Sequence, residues 1–321
     1  KCPTLRFVPK KARPSFAKVL SSVLRSLWRQ AKENSRSTPT RQDTDFRNSS
    51  HSAVTLARLG MYGKACRILL SDGIAPHNDT TWELLKAKHP SCTSPSAPIV
   101  ESTSPPPSLG PEFNIVAILQ SFPRGTSAGP SGLRVQHLLD VVGIPLPSPL
   151  CVSLKSVINL LASGKAPFEV SRYLAGGNLT ALKKIRPNSP PDIRPIAVGE
   201  TLRRLTGKCL CVLIKEKASD FFNPLQLGVA CASGAEKVVH GLRRCVEDHW
   251  FDNDFAVIKI DMKNAFNLVS REALLSECST YFPELLPWAM WCYSSQPFLL
   301  HPLGILTSET GVIHWVLYSF P

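Results

Sequence analysis

Seven prolines fall within 22 residues, 90–111, with Ser and Thr between them. Such a stretch can neither propagate a helix nor pair as an inner strand, because each proline fixes φ and removes a backbone donor. It reads as an extended connector and divides the 321-residue chain. On that division the chain has four parts. Residues 1–50 are a basic helical arm and linker, and 51–89 a small helical hairpin. Residues 90–111 are the connector, and 112–321 the main globular body, large enough for a sizeable core.

Charge is distributed as unevenly as proline. The net charge is +13, and nine of those charges lie in residues 1–47, where twelve Lys or Arg face three acids. Such a balance favours a polyanionic partner. Within this arm, residues 15–31 place Phe16, Val19, Leu20, Val23, Leu24, Leu27 and Trp28 on one helical stripe, with Lys18, Arg25 and Arg29 opposite. Residues 32–50 carry little to bury and read as a linker. The ten cysteines form no C-x-x-C pair. Cys209 and Cys211 sit inside an apolar helical pattern, which fits reduced core thiols of an intracellular protein, nuclear or cytoplasmic. No run is apolar enough for long enough to cross a bilayer, so no membrane partner is expected.

In the main body, helical periodicity marks residues 113–121, 150–161 and 201–218. Between the first two lies R-G-T-S-A-G-P-S-G-L-R-V-Q-H-L-L-D, residues 124–140, a small-residue loop that opens a helix at Ser131 or Gly132. Such a loop can cradle phosphate, but it is not a nucleotide P-loop, and a helix-entry turn is the simpler reading. Residues 178–185 and 193–198 alternate as two strands around a proline-rich turn, with Lys183, Lys184 and Arg194 near the tip. Three cations there suit a triphosphate, since Arg forks onto phosphate and Lys supplies a point charge. Arg203, Arg204 and Lys208 lie off the apolar face of helix 201–218, where they could meet a nucleic-acid backbone. Ser233-Gly-Ala-Glu236 reads as a capping box, opening a helix with Val238, Val239, Leu242, Cys245 and Val246 inward.

The run F-A-V-I-K-I-D-M-K-N-A-F, residues 255–266, reads as a buried strand that delivers Asp261 to its tip, followed by an aromatic, Phe266, and a helix over 270–278. A carboxylate so placed can hold Mg²⁺, which takes oxygen ligands. No D-x-D follows the strand and no G-x-S-x-G elbow is present, so aspartyl-phosphate and serine-hydrolase chemistry are set aside.

Five phrases, taken in order, resemble the reverse transcriptases of non-LTR (LINE-like) retrotransposons. They are S-A-G-P-S-G-L-R-V-Q-H-L-L-D, L-T-A-L-K-K, I-R-P-I-A-V-G-E-T-L-R-R-L-T-G-K, L-Q-L-G-V-A and V-I-K-I-D-M-K-N-A-F-N-L-V. The resemblance spans roughly residues 111–311. It implies an α+β fold, the fingers and partial palm of a right-hand polymerase, acting on an RNA template, a DNA primer and dNTP with Mg²⁺ or Mn²⁺. By resemblance Asp261 and the Met262 carbonyl would be metal ligands. Lys183, Lys184 and Arg194 would grip the triphosphate, and Phe266 would lie under the sugar and exclude a 2′-hydroxyl. Arg203, Arg204, Gln226 and Gly228 would lie along the template. The family's second acid pair is missing, and the phrase after Gly311-Val312 departs into I-H-W-V-L-Y-S-F-P. Residues 313–321 are therefore read as out of frame, and the fragment as unable to polymerise. An alternative of a different class is a nucleic-acid-binding module without chemistry. With later palm strands missing, an open sheet edge and an uncovered apolar face are expected, together with low solubility.

Overall fold

A computed structural model describes residues 45–91, 104–142, 149–185 and 190–311. The amphipathic stripe over 15–31, the basic arm and most of the connector lie outside them. Thirteen α-helices and one four-stranded mixed sheet are present among the described residues, a mixed α/β architecture consistent with α+β. No described helix is long and apolar enough to cross a membrane.

The first three helices are α1 (Asp45–Arg58), α2 (Tyr62–Leu69) and α3 (Asp79–Lys88). The linker reading fails over residues 45–50, which are already helical. Asn78 caps α3, accepting the Thr81 N–H at 2.9 Å. Next come α4 (Ile115–Gln120), α5 (Val135–Val142), α6 (Pro149–Ala162) and α7 (Phe168–Leu174). The expected strands form as β1 (Gly177–Lys184) and β2 (Asp192–Gly199), paired antiparallel with Leu182 opposite Arg194 and Lys184 opposite Asp192. Pro195 is tolerated because β2 is an edge strand.

The helix expected over 201–218 breaks at Ile214 into α8 (Thr201–Leu213) and α9 (Lys215–Phe222). There follow α10 (Gly234–Asp248), α11 (Ala265–Leu268), α12 (Arg271–Tyr281) and α13 (Leu286–Tyr293). Two short strands, β3 (Phe298–His301) and β4 (Gly304–Thr307), close the sheet in the order β2-β1-β3-β4. β3 runs parallel to β1 but pairs only at Gly177 and Asn178. The free half of β1 is taken by residues 73–75: Ala75 N–H donates to Ala181 O at 2.8 Å and Lys183 N–H to Gly73 O at 2.9 Å. The helical hairpin ahead of the connector is thus stitched to the sheet. Its α3 covers one sheet face, where Trp82, Leu84 and Leu85 pack on Leu179, Ala181, Ile193 and Leu299.

The main core lies between α6, α7, α8 and α13, around Leu161, Leu174, Leu210, Trp288 and Trp291. A second apolar layer joins α4 and α5 to α6 and α8 through Ile115, Leu119, Ile158 and Leu205. Cys209 and Cys211 are buried free thiols, pushed up to about 12 by burial.

Three expectations are overturned. Residues 255–262 form no strand, and 256–262 are exposed, with Ile258 82% and Ile260 79% accessible. Helix α10 exposes Val238, Val239, Leu242 and Cys245 instead of burying them, and only Val246 is half-buried. The Ser233 side chain makes no cap bond, because the residue sits at φ 51° in the left-handed region. The first two share a reason: a two-faced segment buries its apolar side only where a second layer meets it.

Candidate functional site

Strand register sorts the three hairpin cations. Residues opposite one another across an antiparallel pair share a face. Lys183 therefore shares the α3-covered face with Leu179, Ala181 and Ile193, whereas Lys184 and Arg194 share the other face. Arg194 is exposed there, beside the exposed Ile196. Lys184 is tied to Asp192, Nζ to Oδ2 at 3.7 Å, and Lys88 at the end of α3 reaches the other oxygen of Asp192 at 2.8 Å. The Lys88 hydrogen bond holds the Asp192 carboxyl below the usual carboxylate range, reinforced by the Lys184 charge.

The same lysine reaches the segment that carries Asp261. Asn264, at φ 54°, donates its Nδ2–H to Lys88 O at 3.0 Å. The end of α3 thus links the Lys184–Asp192 end of the hairpin to the turn three residues beyond Asp261. Asp261 and Met262 themselves stand on irregular, exposed backbone. Phe266 lies on the following turn, α11, and is 39% accessible.

Helix α8 handles its two arginines differently. Arg203 is 1% exposed, its Nη1–H donating to Ala175 O at 3.0 Å and its Nη2–H to Tyr293 Oη at 3.0 Å. The guanidinium stands 5.6 Å from the centre of the Tyr293 ring. The expected template contact for Arg203 gives way to a strut that fastens α8 to α13 and to the loop after α7. Arg204 is partly buried and donates to Ser127 O at 2.6 Å, so it braces the loop before α5. Lys208 lies 4.9 Å from the Phe122 ring and donates to Ser121 Oγ at 2.9 Å.

That loop spends its donors on a carboxylate within the chain. Ser131 N–H donates to Glu200 Oε1 at 2.6 Å, and Ser131 Oγ–H to Oε2 at 2.6 Å. Burial raises the Glu200 carboxyl above its ordinary range, although both Ser131 donors oppose the shift. Gly129 presses against the Glu200 backbone so closely that a Cβ would come within 2.7 Å of it. Gly129 serves this clasp, and the two Ser131 donors at the entry to α5 are already engaged.

Gln226 and Gly228 stand apart, in the loop between α9 and α10, where Gln226 Oε1 accepts the Gly228 N–H at 2.9 Å. Lys88 therefore links the Lys184–Asp192 end of the hairpin to Asn264, three residues beyond Asp261, and Arg194 follows Asp192 two residues along β2. The structure leaves Arg203 in the core and Gln226–Gly228 in a loop of their own. Sequence reasoning missed Lys88, Asp192, Asn264 and Glu200. Only Asp192, set between two prolines and a strand, carried a local signal. No protein-family model and no curated protein matches the chain.

Proposed function

We propose that the chain is the fingers and partial palm of a reverse-transcriptase-like RNA-directed DNA polymerase, and that it binds template–primer and dNTP without extending the primer. The observation that supports this reading is the Lys88 junction. It ties the hairpin that bears Lys184 and Arg194 to the turn that bears Asp261. An exposed guanidinium beside a lysine suits a triphosphate. Phe266, two residues beyond Asn264, belongs to the same turn.

The residues present do not fit a pair of Mg²⁺ or Mn²⁺ ions. Asp261 is the only carboxylate between residues 255 and 266, and with the Met262 carbonyl it offers fewer oxygens than two near-octahedral ions require. The chain's own residues bind: Arg194 and Lys184 neutralise phosphate, and Asn264 fixes the turn.

Fluorescence binding to an RNA–DNA template–primer tests the proposal. Affinity should fall steeply with salt. Arg194→Ala should weaken dNTP binding roughly tenfold, as for one charged hydrogen bond. No nucleotide should be incorporated with Mg²⁺ or Mn²⁺. Salt-insensitive binding, or none, sinks the reading. Nucleic-acid binding with no dNTP affinity replaces it with a simple binding module. Incorporation abolished by Asp261→Ala replaces it with an active enzyme.

A further inference from the structure

Helix α10 stands almost clear of the body. Gly234 is buried and Val246 half-buried, and every other residue of Gly234–Asp248 is exposed. A helix of 15 residues is marginal in water by itself and owes most of its stability to packing one face. Such a face is present. Ala235, Val238, Leu242, Cys245 and His249 repeat at alternating steps of three and four, the seam along which one helix packs on another. Val238 is 51% and Leu242 46% accessible, and Cys245 is an exposed free thiol. Gly241 borders the seam, and a Cβ there would meet nothing within 4 Å. Glycine weakens a helix interior, and here it leaves room for a second helix to approach.

The charged edge of the seam selects that second helix. Lys237, near the start of α10, and Asp248, at its end, flank the same edge about three turns apart. Laid antiparallel, another α10 puts Lys237 of each copy beside Asp248 of the other. The two contacts are related by a two-fold axis near Leu242, the symmetry of a self-complementary patch. A parallel pairing loses both contacts and sets like ends of the helix dipoles together. Asp248 is held only by Arg244 at 3.1 Å, an exposed pair that leaves carboxylate lone pairs for a second cation.

We propose that α10 is a self-association surface, on which two copies of the chain pair antiparallel along Val238, Leu242 and Cys245. With Trp250 just beyond the helix end, the side chains so covered amount to on the order of 1,000 Å² in total, the weak end of specific interfaces. Pairing therefore belongs to the upper micromolar range. Below it the chain is a monomer and the seam is open. The proposal does not rest on the polymerase reading.

Sedimentation of the full chain from about 5 to about 300 µM provides the test. The average mass should rise towards that of two chains. Leu242→Glu should weaken association at least about tenfold, and because Leu242 is half exposed the monomer keeps its fold. Lys237→Asp and Asp248→Lys should each weaken association, and the two together should restore it to within about threefold of the parent chain. A mass that stays constant with concentration overturns the proposal. Association that Leu242→Glu leaves intact overturns it too, because another surface then carries the contact. So does a double reversal no stronger than either single variant, because Lys237 and Asp248 then do not meet.

Discussion

Helices α8 and α10 are of similar length, 13 and 15 residues, and each has one apolar side. Their fates differ. Leu205, Cys209 and Leu210 of α8 are almost wholly buried, because α4, α6, α7 and α13 surround them. Val238, Val239 and Leu242 of α10 stay about half exposed. Periodicity states which side of a helix could be buried. Only a second surface, brought from elsewhere in the chain, makes the burial happen and supplies its free energy.

The sharpest way to break this contrast is a pair of substitutions. Trp288→Ala, in the packed core, should cost about 4 kcal/mol in urea unfolding. Val239→Ser, on α10, should stay within about 0.5 kcal/mol. A loss above about 1.5 kcal/mol at Val239 would mean that α10 is covered in solution, and the contrast would fall.

A smaller effect should follow pH at the seam between α3 and the β3–β4 hairpin. His301 is 5% exposed, stacks on Trp82 at 5.7 Å and meets the His77 ring at 5.1 Å. Burial first, and then His77, pulls its pKa down from 6.5 to about 4. The unfolded chain then binds more protons between those values, so stability is full above about pH 6.5 and declines as pH falls towards 4. His301→Phe should flatten that part of the pH profile in urea titrations at pH 7 and pH 5. An unchanged slope would place the acid sensitivity elsewhere.

A small, local effect should follow Asn264→Ala. It removes one hydrogen bond and places alanine at a left-handed φ that asparagine tolerates better, so about 1 kcal/mol is expected in global stability. Exchange at residues 261–266 should rise more visibly than that figure suggests. No local change would show that the Lys88 contact does not hold the turn.

Much of the body was legible from the chain itself. The β1–β2 hairpin announces itself through alternation on both sides of a proline-rich turn, and α6 and α8 through sustained helical spacing. Residues 255–261 carry as strong a strand pattern as β1, yet they stay irregular, because pairing depends on an edge that the run does not itself encode. The short β3 and β4 went unread: four residues each, they hold too little alternation to stand out, although Pro302–Gly304 marks their turn. Arg203 was misplaced for another reason. Arginine is seldom fully buried, and the carbonyl and hydroxyl that receive its guanidinium come from residues 28 and 90 positions away. The hairpin half of the candidate site was therefore visible in the sequence, and the tie between its halves was not, because Lys88 and Asn264 are 176 residues apart.

Lys88 holds Asp192 with its ammonium and Asn264 with its carbonyl. One helix end thus serves as a shared crank for two distant stretches of chain. A substitution that shifts the end of α3 therefore disturbs the contacts of both stretches at once.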